Sequence, residues 1–239
     1  MGDKQLIVQS ILGQGVLPLF YYDSPAVSLR VVQTLYKAGI RAVEYTNRGK
    51  AALDNFTMMK KALAVEAPDL YLGIGTVKTP GEATAFLKAG ADFIIAPIVN
   101  PAVAAVAAEA GLLWMPGCMT PTEIFLAQQH KAEIIKLFPA NMLGPEFVHS
   151  IRDLFPGQLF IPTGGVEIDE DNIRGWFKSG VCAVGMGSRL ISKEVLAGEK
   201  YELLYDNTLL ALQIAKTVMN ENKTVMNENK TVMNEKKSK

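Results

Sequence analysis

Cysteine and histidine are scarce in this chain, with two of each among 239 residues. Cys118 and Cys182 lie in apolar segments, and there is no CxxC pair or cysteine/histidine spacing for zinc. That excludes a disulfide framework and a structural zinc site, and implies a reducing, intracellular compartment. Net charge is also lacking: 24 basic residues balance 24 acidic ones, with no long basic block in the first 200 positions, so there is no footprint for nucleic acid. No apolar run reaches the roughly 18 residues of a membrane span, and the N-terminus has no basic region leading into an apolar core and a small-residue cleavage site. The expectation is a cytoplasmic protein without a membrane or nucleic-acid partner.

What is present is a regular alternation. With 49% hydrophobic residues the chain can bury one large core. Short β-type runs alternate with helix-length amphipathic stretches, which is the pattern of repeated βα units around a parallel sheet. Eight runs read as strands: Val16–Tyr22, Ala42–Asn47, Tyr71–Val77, Phe93–Val99, Leu112–Cys118, Ile134–Ala140, Leu159–Gly164 and Cys182–Ser188. Eight uninterrupted units favour a single-domain (β/α)₈ barrel, α/β in class, over an open sheet. Proline at a first helical turn marks helix starts at Ser24-Pro25, Thr79-Pro80, Asn100-Pro101, Thr120-Pro121 and Gly144-Pro145. Gly39, Gly90, Gly111 and Gly180 stand where left-handed stops are expected. Lys4–Leu12 reads as a helix before the first strand, placed to close the barrel bottom.

The barrel is expected to occupy residues 1–215, and the segment 216–239 is different. Lys216–Asn222 reads KTVMNEN, Lys223–Asn229 repeats it unchanged and Lys230–Lys236 gives KTVMNEK. One adjacent Val-Met pair per heptad makes a narrow stripe without the two spaced positions of a coiled-coil seam. The expectation is a helical extension of Tyr201–Lys216 that frays, or disorder.

Chemistry should collect at the C-terminal ends of the strands. Lys136 lies in the apolar run Ile134-Ile135-Lys136-Leu137-Phe138, where an ammonium must find a carboxylate, snorkel out of the strand end, or shed its proton and become a nucleophilic amine. Strand alternation puts Ala42, Glu44 and Thr46 on one face and Val43 and Tyr45 on the other, so Glu44 and Lys136 both face the barrel interior. Either they form a buried ion pair or they are a nucleophile and its proton-transfer partner.

Thr163-Gly164-Gly165 and Gly185-Met186-Gly187-Ser188 end strands seven and eight, where barrel loops often hold phosphate through backbone N–H groups. Each pair taken singly is also a turn signal. Arg48, just past the second strand, is either an exposed loop charge or a fork for a carboxylate, with Thr76 adding a hydroxyl. His130 and His149 fall on outer helices, Cys118 packs, and no Asp/His cluster suggests a metal.

Together these segments resemble the 2-keto-3-deoxy-6-phosphogluconate (KDPG) aldolase family, which includes the 4-hydroxy-2-oxoglutarate (KHG) aldolases. The resemblance runs from about residue 5 to 210. It rests on AVEYTNR at 42–48, GIGTV at 73–77, PGCMTPTE at 116–123, IKLFPA at 135–140, PTGGV at 162–166 and VGMGS at 184–188. It implies a class I aldolase, usually trimeric, that needs no metal or other cofactor and acts on a small keto acid. Carried over, Lys136 is the imine-forming lysine and Glu44 the acid/base, while Arg48 and Thr76 are pyruvate-carboxylate ligands. Phe138 is the apolar wall, Thr163 a substrate-hydroxyl contact and Pro97 a further substrate contact. Gly164, Gly165, Gly187 and Ser188 form the phosphate site. The implied reaction splits a KDPG-like acid into pyruvate and glyceraldehyde 3-phosphate, or 4-hydroxy-2-oxoglutarate into pyruvate and glyoxylate. Against it stand a phosphate-binding barrel isomerase or epimerase, and a non-catalytic sugar-phosphate-binding protein. Asn47 stands where better-known members carry leucine, strand four ends Ala96-Pro97-Ile98-Val99-Asn100 in place of a Ser-Pro-Gly turn, and Arg189 replaces a common tryptophan. All three lie near the substrate end.

Overall fold

A computed structural model describes residues 3–237, with side chains through Asn222. Its strands are β1 (Val16–Phe20), β2 (Ala42–Thr46), β3 (Tyr71–Gly75), β4 (Phe93–Ile95), β5 (Leu113–Met115), β6 (Gly117–Cys118), β7 (Ile134–Leu137), β8 (Leu159–Pro162) and β9 (Val184–Met186). The helices are α1 (Lys4–Gln14), α2 (Pro25–Lys37), α3 (Ala52–Glu66), α4 (Pro80–Lys88), α5 (Pro101–Glu109), α6 (Pro121–Gln129), α7 (Ala140–Ile151), α8 (Glu170–Ser179), α9 (Lys193–Ala197) and α10 (Tyr201–Lys237). The class is α/β, with a curled parallel sheet in two hydrogen-bonded segments of order β5-β4-β3-β2-β1-β9 and β6-β7-β8.

The expected fifth strand is split in two. Pro116 has no N–H to donate, so the ladder breaks there: Leu113–Met115 pairs with β4, and Gly117–Cys118 pairs with β7 on the other side. The Pro116 carbonyl still accepts from Lys136 N at 2.9 Å. At the other junction, Thr163 and Gly185 form a parallel bridge between the ends of β8 and β9.

Side-chain alternation produces two apolar layers. Val43, Tyr45, Ile135 and Leu137 pack outward among the helices. Ala42, Phe93, Ile95, Leu113, Met115, Ile134 and Ile161 pack inward, together with Ile7, Val8 and Ile11 of α1, so this helix plugs the N-terminal end of the curled sheet. Gln14 at its last turn donates to the carbonyls of Val16 and Ala42 and accepts from the N–H groups of Arg41 and Ala42, at 2.7–3.0 Å.

The capping signals work as read. Ser24, Thr79, Asn100 and Thr120 each accept a backbone N–H in front of a proline, and Thr79/Glu82 and Thr120/Glu123 complete capping boxes. The start expected at Gly144-Pro145 instead falls inside α7, where Gly144 breaks the helical dihedrals at φ 71 and Pro145 opens the second piece. In α10, Val218 is buried in the main core, Met219 packs against it and Glu221 pairs with Arg174. Among the described residues no helix is long and apolar enough to cross a membrane.

Candidate active site

The site grows from the two inward faces that strand alternation defines. On β2, Glu44 lies between Ala42 and Thr46, paired across the sheet with Leu19 and Gly73. On β7, Lys136 is registered with Gly117 on one side and Ile161 on the other. The two side chains meet inside the curl with Lys136 Nζ 3.5 Å from Glu44 Oε1, at 8% and 1% exposure. Lys136 Nζ also lies 5.4 Å from the centroid of the Phe138 ring. A buried pair this separated is a weak hydrogen bond, so both groups keep unfilled hydrogen-bonding capacity inside the sheet.

Space for the carboxylate comes from its neighbour strand. A Cβ on Gly75 would stand 1.8 Å from Glu44 Oε1, so no other residue fits there with the carboxylate in place. Gly73, two residues earlier on the same face, leaves room for the Phe93 ring in the same way. The paired glycines at alternate positions of one strand were the available signal of this close approach, and the sequence reading used them only as motif letters.

Around this pair the remaining residues sit at the C-terminal ends of the strands. Thr76 follows β3 with φ 62 and is half-buried. Arg48 is exposed just beyond β2, its N–H donating to the Thr46 carbonyl at 2.9 Å. Its side chain reaches neither Glu44 nor Lys136. Pro97 is half-buried, and its carbonyl lies over Gly117, 2.5 Å from where a Cβ would be. Thr163 is buried, its N–H donating to Leu137 and its carbonyl accepting from Ala140, both at 2.9 Å. Gly164 and Gly165 have φ 100 and 77 and turn tightly past Asn141 of α7, where a Cβ on Gly165 would meet the Asn141 Cβ at 2.6 Å. Gly187 and the exposed Ser188 follow β9. Asn141 was not singled out from sequence, because nothing local distinguishes it from a surface helix residue.

The other reactive side chains stand apart. Burial pushes the Cys118 thiol up to about 12, and burial likewise raises Cys182, whose Sγ donates to the Phe160 carbonyl at 3.2 Å. His149 is exposed on α7, and His130, expected on a helix, instead caps the end of α6 as an exposed turn residue.

Comparison with known proteins identifies the family of the chain. The family model described as KDPG and KHG aldolase matches residues 8–206. A KHG/KDPG aldolase of Escherichia coli is 30% identical over 212 residues, covering 87% of this chain and 96% of its own. A probable 2-dehydro-3-deoxy-6-phosphogalactonate aldolase of Rhizobium meliloti is 32% identical over 71% of this chain and 78% of its own. Among solved structures, a 4-hydroxy-2-oxoglutarate/2-dehydro-3-deoxyphosphogluconate aldolase superposes with a TM-score of 0.74 at 30% identity, covering 90% of this chain and 100% of its own. A lysine and a carboxylate face to face inside a parallel α/β sheet, in a chain matched over most of its length, make this protein an aldolase and a member of the KDPG and KHG aldolase family.

Proposed function

We propose that the chain is a class I aldolase cleaving a 2-keto-3-deoxy-6-phospho sugar acid to pyruvate and glyceraldehyde 3-phosphate, with 4-hydroxy-2-oxoglutarate, giving pyruvate and glyoxylate, as a second substrate. The observation that carries this reading is the contact between Lys136 Nζ and Glu44 Oε1 in the interior of the curled sheet. The Lys136 amine adds to the C2 ketone, and loss of water gives a protonated imine. Glu44 carries the protons of that dehydration and removes the proton of the C4 hydroxyl. The C3–C4 bonding pair then flows into the imine, the aldehyde leaves, and the enamine is protonated at C3 and hydrolysed to pyruvate.

In this reading Arg48 and Thr76 hold the keto-acid carboxylate, Phe138 and Pro97 wall the reacting carbons, and Thr163 meets a substrate hydroxyl. Gly164, Gly165, Gly187 and Ser188 offer backbone N–H groups and a hydroxyl to the phosphate. The closed eight-stranded barrel, a homotrimer in the cytoplasm and a reaction without a cofactor belong to the same proposal.

The test is peptide mass spectrometry after incubation with pyruvate and sodium borohydride. A reduced pyruvyl adduct is expected on the peptide containing Lys136 and should be absent from Lys136→Ala. If folded protein gives no adduct, the imine mechanism fails and an isomerase or a binding protein on the same scaffold becomes the better account.

A further inference from the structure

The loop that carries Arg48 is held from both sides by groups with no part in the chemistry described above. On one side, Asn47 donates its backbone N–H to the Gly75 carbonyl at 2.8 Å and its side-chain amide to Glu82 Oε1 at 3.2 Å. The other oxygen of Glu82 accepts from the N–H groups of Lys78 and Thr79 at 2.8 and 3.0 Å, which ties Asn47 to the cap of α4 and to the segment just after Thr76. On the other side, the Tyr21 hydroxyl donates to Asp23, which fixes the ring's polar end. The same hydroxyl lies against Gly49, where a Cβ would stand only 2.0 Å away, so loop and ring close on each other as tightly as backbone allows.

The Tyr21 ring is itself anchored. It packs on Tyr45 with centroids 5.6 Å apart, and Tyr45, fully buried, donates to the Tyr22 carbonyl at 2.8 Å. Buried Asn55 then gathers Tyr45 Oη and the carbonyls of Tyr22 and Asp23 at 2.9–3.2 Å. This network spans the ends of β1 and β2 and the start of α3, and the exposed Arg48 lies in the chain between the two held residues, Asn47 and Gly49. A flexible loop would spread that guanidinium over many positions, and restricting it beforehand lowers the entropy lost on binding an anion.

We propose that Tyr21, with Asn47, is a positioning residue that fixes the 47–51 loop so that Arg48 is preorganised for the carboxylate of the keto acid. The proposal rests on reading Arg48 as the carboxylate ligand. Its reach is specificity for 2-oxo acids over neutral ketones, because only a ligand with the carboxylate gains from a fixed guanidinium.

The test is calorimetric titration with pyruvate of the full chain and of Tyr21→Phe, Asn47→Leu, Arg48→Ala and the double variant Tyr21→Phe/Arg48→Ala, with thermal unfolding of each. Tyr21→Phe keeps the ring on Tyr45 and loses the hydroxyl that bonds Asp23 and lies against Gly49. It is expected to raise the Kd for pyruvate about tenfold, roughly one lost hydrogen bond's worth of alignment, with Asn47→Leu doing the same by an independent route. In the Arg48→Ala background the Tyr21 substitution should change nothing further, since the group it positions is gone. A normal Arg48→Ala defect with an unmoved Kd in both Tyr21→Phe and Asn47→Leu would overturn the positioning role alone. An equal Tyr21 effect with and without Arg48 would do so too, leaving a purely structural tyrosine. An unchanged Kd in Arg48→Ala would overturn the reading of Arg48, and this proposal with it.

Discussion

At the scale of single residues, the buried pair of Glu44 and Lys136 is expensive for the fold, a cost that fits the proposed imine chemistry. Two buried charges 3.5 Å apart are only partly compensated, and apolar residues of similar volume would serve packing at least as well. Lys136→Met alone is expected to destabilise the protein by about 3–5 kcal/mol, because it strands the Glu44 carboxylate. The pair Glu44→Leu with Lys136→Met should recover that loss and be inactive. Urea unfolding checks this, and a double variant less stable than the single one would contradict it. Glu44→Gln is expected to lower kcat by about 10²–10⁴-fold while borohydride still traps pyruvate on Lys136. Gly75→Ala places its methyl where Glu44 Oε1 sits and should cost at least about 10²-fold in kcat/KM by displacing the carboxylate. Lys136 and Glu44 were legible because strand periodicity assigns them to one interior. The alternate glycines 73 and 75 signal a close approach on β3, but which atom approaches Gly75 is a fact of tertiary packing.

Secondary elements follow local rules closely wherever those rules are about termini. Ser24, Thr79, Asn100 and Thr120 cap helices in front of prolines, and glycines 39, 90, 111 and 180 all take positive φ just past helix ends. Local rules do not suffice where a residue's neighbours decide: Pro116 splits the expected fifth strand, and Gly144 interrupts a helix that begins at Ala140. The last helix offers a prediction at this scale. Its first heptad is seated on the body through Val218, through Met219 against Gly15 and through Glu221 on Arg174. A chain ended after Ala215 is expected to be about 2–3 kcal/mol less stable than one ended after Asn222, which keeps that apolar burial. Equal melting of both truncations would show that the heptad contributes nothing. The boundary proposed at 215 stands or falls with the same comparison.

The whole molecule should be sensitive to alkali. Burial pushes both thiols up to about 12, and burial together with Asp23 pushes the Tyr21 hydroxyl up to about 12. In the unfolded chain these groups lose their protons near 8.5 and 10, so above those values the unfolded state binds fewer protons than the folded one. Stability contributed by the neutral forms is therefore complete below about pH 8.5 and is lost as pH rises toward 12. The urea midpoint is expected to fall between pH 8.5 and 11, and to fall less steeply when Cys118 and Cys182 are both alanine. An identical slope with and without the thiols would assign the alkaline loss elsewhere.

The alternation of apolar runs and helix-length segments, the capped starts, the left-handed stops and the inward placement of Glu44 and Lys136 were determined by the sequence alone. Each depends on a few consecutive residues and a fixed repeat of 2.0 or 3.6. Tertiary structure alone decided where the ladder breaks at Pro116, that α1 plugs one end of the sheet, that Gly75 shelters the Glu44 carboxylate, and that Tyr21 and Asn47 grip the loop of Arg48. Those are meetings between residues far apart in the chain, set by how the sheet curls and how side chains compete for the same space, and no local repeat encodes them.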